Sequence, residues 1–221
     1  MSAQLSLLST EALAGQRGAD EVARLRERAQ GCQACALSRE RRNVVFGAGN
    51  IDRPLLAFVG EGPGAEEDAE GVPFVGSSGK LLNRMIKAMT LERSQVFITN
   101  AVLCRPTAPP SDEDIARGRT EPQNRKPSPA EKDACRPLLC GQLRAVNPQC
   151  IVAMGGTAAQ TLLGSGKKVT ALRGQWHSWE GVPVRATYHP AALLRNVQWK
   201  PQVWEDLQAV MIRLGLKRTK R

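Results

Sequence analysis

Few residues in this chain carry chemistry, and their spacing is informative. Cys32 and Cys35 form a C-x-x-C pair, a spacing that lets one tight turn aim two thiolates at one metal centre. Six cysteines are present in all. Cys140 and Cys150 fall on apolar helix and strand positions and read as core, and Cys104 and Cys135 lie far along the chain from the pair. The N-terminus lacks the basic start and long apolar stretch of a secretory signal. Six cysteines in such a chain argue for metal ligands, catalytic thiols or core positions over a disulfide framework. Only two histidines occur. His177 sits in QWHSWEG, read as a hairpin or edge loop. His189 sits in YHPAALLRN, where a neutral imidazole can donate a hydrogen bond to an anion as it forms. The stretch GEGPGAEEDAEGVPFVGSSG joins small residues, which let backbone amides approach a ligand, to the acids Glu61 and Glu67. Asn100 closes an apolar run, and its amide can both accept and donate.

These side chains need a frame. Continuous apolar runs at 54–60, 95–102, 150–156 and 182–189 read as buried parallel strands. Helical spacing over 20–30, 80–89, 129–146, 157–164 and about 200–214 supplies the covering layers. The alternation predicts the α/β class: a three-layer α/β/α sandwich around a central, mainly parallel four-stranded sheet. Ligands of such sheets bind beyond the carboxyl ends of the strands. That selects the loops GEGPG, TNAVLC and YHPAALLR. Residues 1–30 read as an N-terminal helical segment and 31–215 as one domain. A Pro- and charge-rich insertion at about 105–128 reads as a long loop, and 216–221 as a basic tail.

The chain carries 31 Lys and Arg against 21 Asp and Glu, a net charge of +10 that favours a polyanionic partner. No apolar run approaches the roughly 20 residues that a membrane span requires, so the expected setting is the cytoplasm without a membrane partner. A dinucleotide-binding reading fails, because G-x-G-x-x-G is missing at the strand–helix junction and no ribose-binding acid follows at the expected distance.

GEGPGAEEDAEGVPFVGSSGKLL resembles the first motif of the family 4, iron–sulfur uracil-DNA glycosylases. FITNAVLCRP resembles the next block and YHPAALLRN the last, and the likeness runs from about residue 31 to 210. The resemblance implies a DNA repair enzyme that flips uracil out of single- or double-stranded DNA and hydrolyses its glycosidic bond. It implies a nucleoid-associated monomer. It implies ligation of a 4Fe-4S cluster by Cys32, Cys35, Cys104 and Cys135. Spacing alone leaves zinc open as the alternative.

In the implied pocket Phe74 stacks on the base and Asn100 reads its edge. Gly60, Glu61 and Gly62 line the loop that closes on it, and His189 donates to uracil O2. Glu61 and Glu67 are both candidates for the carboxylate that positions water. Leu193 or Leu194 would wedge into the gap left by the flipped base, with Arg195 on a phosphate. The chain departs from the pattern in the stretch between Cys104 and Cys135. Ala191 also stands where many relatives have serine. The insertion has no histidine, which argues against covalent trapping of the product by that loop.

Overall fold

The computed structural model describes residues 2–118 and 120–217, with side chains from residue 15 onward. The chain opens with α1 (Ser2–Gln30) and proceeds through β1 (Ala48–Gly49), β2 (Ala57–Gly60), α2 (Ala65–Glu70), α3 (Ser77–Ala88) and β3 (Phe97–Asn100). The 105–128 region follows as β4 (Thr107–Ala108), α4 (Asp112–Ala116) and β5 (Gln123–Asn124). Then come α5 (Pro129–Val146), β6 (Ile151–Met154), α6 (Gly156–Leu163), α7 (Val169–Leu172), β7 (Trp176–Trp179), β8 (Val182–Thr187), α8 (Pro190–Arg195) and α9 (Lys200–Arg213).

Among the described residues the main sheet has six strands in the order β1-β3-β2-β6-β8-β7. The four inner strands run parallel, and β1 and β7 add antiparallel edges. The sheet is thus mainly parallel as expected, but wider than the four strands predicted. The edge strand β1 is two residues long, too short to leave a period in the sequence.

The inner strands are buried on both faces, and their side chains divide between two cores. Ala57, Val59, Phe97, Ile151 and Ala153 join one cluster, with Leu138, Leu139, Leu143 and Val146 of α5 and Val22, Leu25 and Ala29 of α1. Phe58, Ile98, Val152 and Met154 point the other way, into a cluster with Leu82, Met85 and Ile86 of α3 and Val203, Leu207, Val210 and Met211 of α9. Each fully buried Val, Leu, Ile, Phe or Met side chain among them contributes roughly 1.5–3 kcal/mol, and the two-sided burial fixes which residues of each strand face which helix layer.

The insertion differs from the structureless loop expected. β4 and β5 pair as a small antiparallel ribbon. Arg105 Nε donates to Asn124 Oδ1 (2.7 Å), and Arg125 Nε donates to the Thr107 carbonyl (2.8 Å). Arg125 also forms a two-pronged pair with Glu131 at 2.6 and 2.8 Å. Glu131 completes a capping box with Ser128 at the start of α5, where Pro129 occupies the first turn. The Arg125 guanidinium, ahead of the Ser128 amide, holds the Glu131 carboxyl down at about 2 despite its partial burial. The ribbon is therefore tied to α5 by side-chain bonds, which leave no hydrophobic period to read.

α1 extends well before residue 20, and the helix expected at 20–30 is its C-terminal part. No described helix is long and apolar enough to cross a membrane. Of the basic tail, residues 218–221 lie outside the described residues.

Candidate active site and cysteine pocket

The winding of the sheet reverses between β2 and β6, which opens a crevice beyond their carboxyl ends. The loops picked out in the sequence leave the sheet there. Gly60 of β2 and Asn100 of β3 are register partners. Thr187 of β8 pairs with Met154 of β6, and the Gly155 amide donates to the Thr187 carbonyl at 2.8 Å. His189 and Gly155 therefore emerge side by side. A Cβ on Gly155, whose φ is +91°, would lie only 3.2 Å from the His189 Cβ.

His189 caps α8. Its Nδ1 accepts from the Ala191 amide at 3.2 Å. A backbone amide can only donate, so Nδ1 carries the lone pair and the neutral ring holds its proton on Nε2. That Nε2 is shut off from solvent and has no hydrogen-bond partner among the described residues. Burial, assisted by the Arg195 charge and opposed by Glu67, lowers the imidazole pKa to about 4. At neutral pH the ring is an uncharged donor waiting for an acceptor. Tyr188 stacks on Trp199 with centroids 4.6 Å apart, which fixes the segment that delivers the histidine.

Phe74 faces His189, with ring centroids 5.6 Å apart and planes tilted by 35°. It adopts a positive φ of 55°, rare for an aromatic residue. Arg93 Nη2 donates to the Pro73 carbonyl just before it, and Arg93 Nη1 donates to Asn83 Oδ1 at 2.9 Å. Gly79 packs so tightly against the same turn that a Cβ there would sit 1.9 Å from the Phe74 carbonyl oxygen. Asn100 is 1 % exposed, and its Oδ1 also lacks a partner among the described residues. Gly60 lies between the two: a Cβ on it would meet Asn100 Oδ1 at 2.4 Å and Phe74 Cζ at 2.5 Å. Only glycine lets these three groups share the pocket wall. Gly62 faces Val102 and Pro106 at the rim.

The two acids have different surroundings. Glu67 is 9 % exposed, and three backbone amides donate to its oxygens: Gly64 N at 3.0 Å on Oε2, then Val75 N at 3.0 Å and Gly76 N at 2.9 Å on Oε1. It staples the GEGPG loop to the turn that bears Phe74. Three of its roughly four acceptor positions are taken by these amides, so Glu67 holds the two segments together. Glu61 accepts a hydrogen bond on Oε2 from Thr157 Oγ1, across the crevice. Asp68 is 3 % exposed and accepts from the Arg42 amide at 3.1 Å.

Leu193 is 2 % exposed and packs in the core beside α3 and α9, so it cannot act as a wedge. Leu194 is 44 % exposed and Arg195 is exposed beside it. Val197, at 58 %, adds a second exposed apolar side chain that the sequence reading did not single out. Thr157 and Arg93 were missed too. Neither is chemically conspicuous, and both matter only through the partner that the fold supplies.

Cys32, Cys35, Cys104 and Cys135 line one pocket, together with Ala29, Ser38, Arg41, Leu103 and Leu138. The turn after α1, the segment after β3 and the face of α5 bring them there. The Leu103 amide donates to Cys135 Sγ at 3.3 Å and Arg41 Nη1 to Cys104 Sγ at 3.4 Å, bonds that stabilise thiolates. Burial raises the Cys104 thiol and pushes Cys135 up to about 12. A bound metal must therefore displace their protons. Among the described residues no three or more His, Cys, Asp or Glu side chains are placed to hold a metal ion. A zinc ion at roughly 2.3 Å from each sulfur would draw four sulfurs to within about 4 Å of one another. A multi-iron cluster spreads its thiolates further apart. Four thiols around one pocket, with no histidine among its lining residues, are the donor set of a thiolate-held zinc or iron–sulfur centre.

A mainly parallel sheet with a buried donor, a buried acceptor and an aromatic ring at its switch point is an α/β protein with a ligand crevice at that edge. The model of the uracil DNA glycosylase superfamily matches residues 46–208. The type-4 uracil-DNA glycosylase of Thermotoga maritima is 43% identical over 173 residues, 77% of this chain and 81% of that protein. Those of Archaeoglobus fulgidus and Sulfurisphaera tokodaii are 35% and 36% identical over 192 and 200 residues, covering 83% and 86% of this chain and 86% and 84% of theirs. The chain belongs to the type-4 uracil-DNA glycosylases.

Proposed function

We infer that the protein removes uracil from DNA by hydrolysing its N-glycosidic bond, releasing free uracil and leaving an abasic site. One observation carries the site assignment. Two buried polar atoms beside Phe74, Asn100 Oδ1 and His189 Nε2, lack partners among the described residues, and orphaned groups of this kind are costly unless a ligand completes them. Uracil supplies what they lack: N3–H for the asparagine oxygen and O2 for the imidazole N–H. The Asn100 amide nitrogen can then donate to O4. Cytosine has no N3–H and presents an amine where uracil has O4, so both contacts reverse polarity. A mismatch of that kind in a buried site discriminates on the order of 10⁴-fold.

The base must leave the duplex to reach this pocket. Leu194 fills the gap in the stack, and Arg195 holds a phosphate. Phe74 stacks on the base, and Gly60, Glu61 and Gly62 close on it. As the C1′–N1 bond breaks, negative charge moves onto uracil, and the His189 Nε2–H stabilises it at O2. Glu61 presents a carboxylate oxygen to the attacking water. Cys32, Cys35, Cys104 and Cys135 hold a 4Fe-4S cluster, whose contribution when bound is to tie the turn after α1, the segment after β3 and α5 together. The protein works as a monomer in the cytoplasm on nucleoid DNA.

The test is an end-labelled oligonucleotide with one uracil, incubated with protein and cleaved in alkali, beside matched cytosine and thymine strands. Cleavage at uracil alone is expected. Intact uracil strands with protein that carries its cluster would contradict the reading.

A further inference from the structure

Among the described residues one side-chain hydrogen bond, between Thr157 and Glu61, spans the crevice at the switch point. Thr157 Oγ1 donates to Glu61 Oε2. Thr157 is the second residue of α6 and is 9 % exposed. The first turn of α6 has no acidic residue of its own. Glu61, arriving from the end of β2, supplies the carboxylate that a helix start favours. Gly155 caps this helix beside His189, so the start of α6 touches both Glu61 and the segment that carries the imidazole.

We propose that Thr157 is a positioning residue for uracil excision, holding one oxygen of Glu61 so that the other is turned to the attacking water. This rests on the reading of the site as a uracil-excising centre. The C1′–N1 bond breaks and its electron pair leaves with uracil. The water oxygen bonds to C1′, and its proton passes through the Glu61 carboxylate to solvent. The departed uracil anion takes a proton from solvent at N1, so the step is balanced without another reactant. A glutamate has three rotatable side-chain bonds. Without the Thr157 hydroxyl its carboxylate samples orientations that serve the water poorly, and small misplacements of this kind cost up to about 10²-fold in rate.

The experiment compares wild type, Thr157→Val and Thr157→Ser on a single-uracil oligonucleotide under single-turnover conditions, with protein concentration varied to separate the maximal rate from half-saturation. Melting temperature is measured on the same samples. Thr157→Val is expected to lower the maximal rate about 10- to 100-fold while half-saturation and melting stay near wild type. Thr157→Ser, which keeps the hydroxyl, is expected to restore most of the rate. Adding Thr157→Val to Glu61→Gln is expected to slow that variant no further. A wild-type rate in Thr157→Val, or a Thr157→Ser protein as slow as the valine variant, would overturn the proposal. So would a rate loss accompanied by weaker DNA binding or lower melting. If wild type itself leaves uracil in place, the functional reading fails and takes this inference with it, so the two failures are told apart by the wild-type lane.

Discussion

At the scale of single residues the proposed chemistry turns on the protonation state of His189. Burial lowers its pKa to about 4, against roughly 6.5 in an unfolded chain. The neutral donor is therefore populated throughout the physiological range. Excision is expected to hold steady from pH 8 down to about 5 and to fall only as pH drops through about 4. An acid limb near 6.5 in a pH–rate profile would contradict this environment for the ring. The linkage to stability has a definite sign. Between about 6.5 and 4 the unfolded state binds the proton that the folded state refuses, so this residue makes folding less favourable as pH falls through that window. His189 could be picked from the sequence because few residue types can donate in this way and only two histidines exist. The status of Glu67 could not. A carboxylate's job depends on which backbone amides face it, and three of them do. Leu193 and Leu194 are equally apolar, and only the packing of a six-residue helix separates the buried one from the exposed one.

At the scale of elements, the loops that form the pocket are held by side chains from outside it. Glu67 joins the loop after β2 to the Phe74 turn, Arg93 holds that turn from the other side, and Asp68 binds the segment that follows the first cysteine pair. Glu67→Gln keeps the size but leaves a single acceptor oxygen for amides that now share two. Loss of charge-assisted bonds of this kind costs about 1–3 kcal/mol. The variant is expected to melt several degrees lower, to need more protein for half-saturation on uracil DNA, and to excise more slowly. Unchanged melting would show that the staple does not hold the loops. The principal helices and the inner strands were legible because apolar spacing records which face is buried. The ribbon β4–β5 was not, since arginine hydrogen bonds and an ion pair hold it in place of a buried face.

At the scale of the whole molecule, α9 and β8 meet at a buried charge cluster. Asp206, fully buried, accepts from Arg185 at 2.9–3.0 Å, Thr187 at 2.9 Å and Arg173 at 3.2 Å. This network braces the strand whose end carries His189. Asp206→Ala leaves two guanidinium groups without their carboxylate and is expected to lose about 3–5 kcal/mol of stability, read as a lower urea midpoint. A midpoint within error of wild type would show that the network is dispensable. The α/β order was legible from alternation, whereas the sheet's full width was not, because its outer strands are short or half exposed. The network was equally hidden: Arg173, Arg185 and Asp206 are ordinary charges until the fold brings them together.

The central claim is that a neutral His189 and Asn100 complete their hydrogen bonding on a flipped uracil. The most direct measurement is the single-turnover excision rate of His189→Ala against wild type on one-uracil DNA, with binding to the same DNA followed in parallel. The account predicts a loss of about 10²- to 10³-fold in rate with binding and cluster absorbance retained. A variant that cuts at the wild-type rate would contradict it.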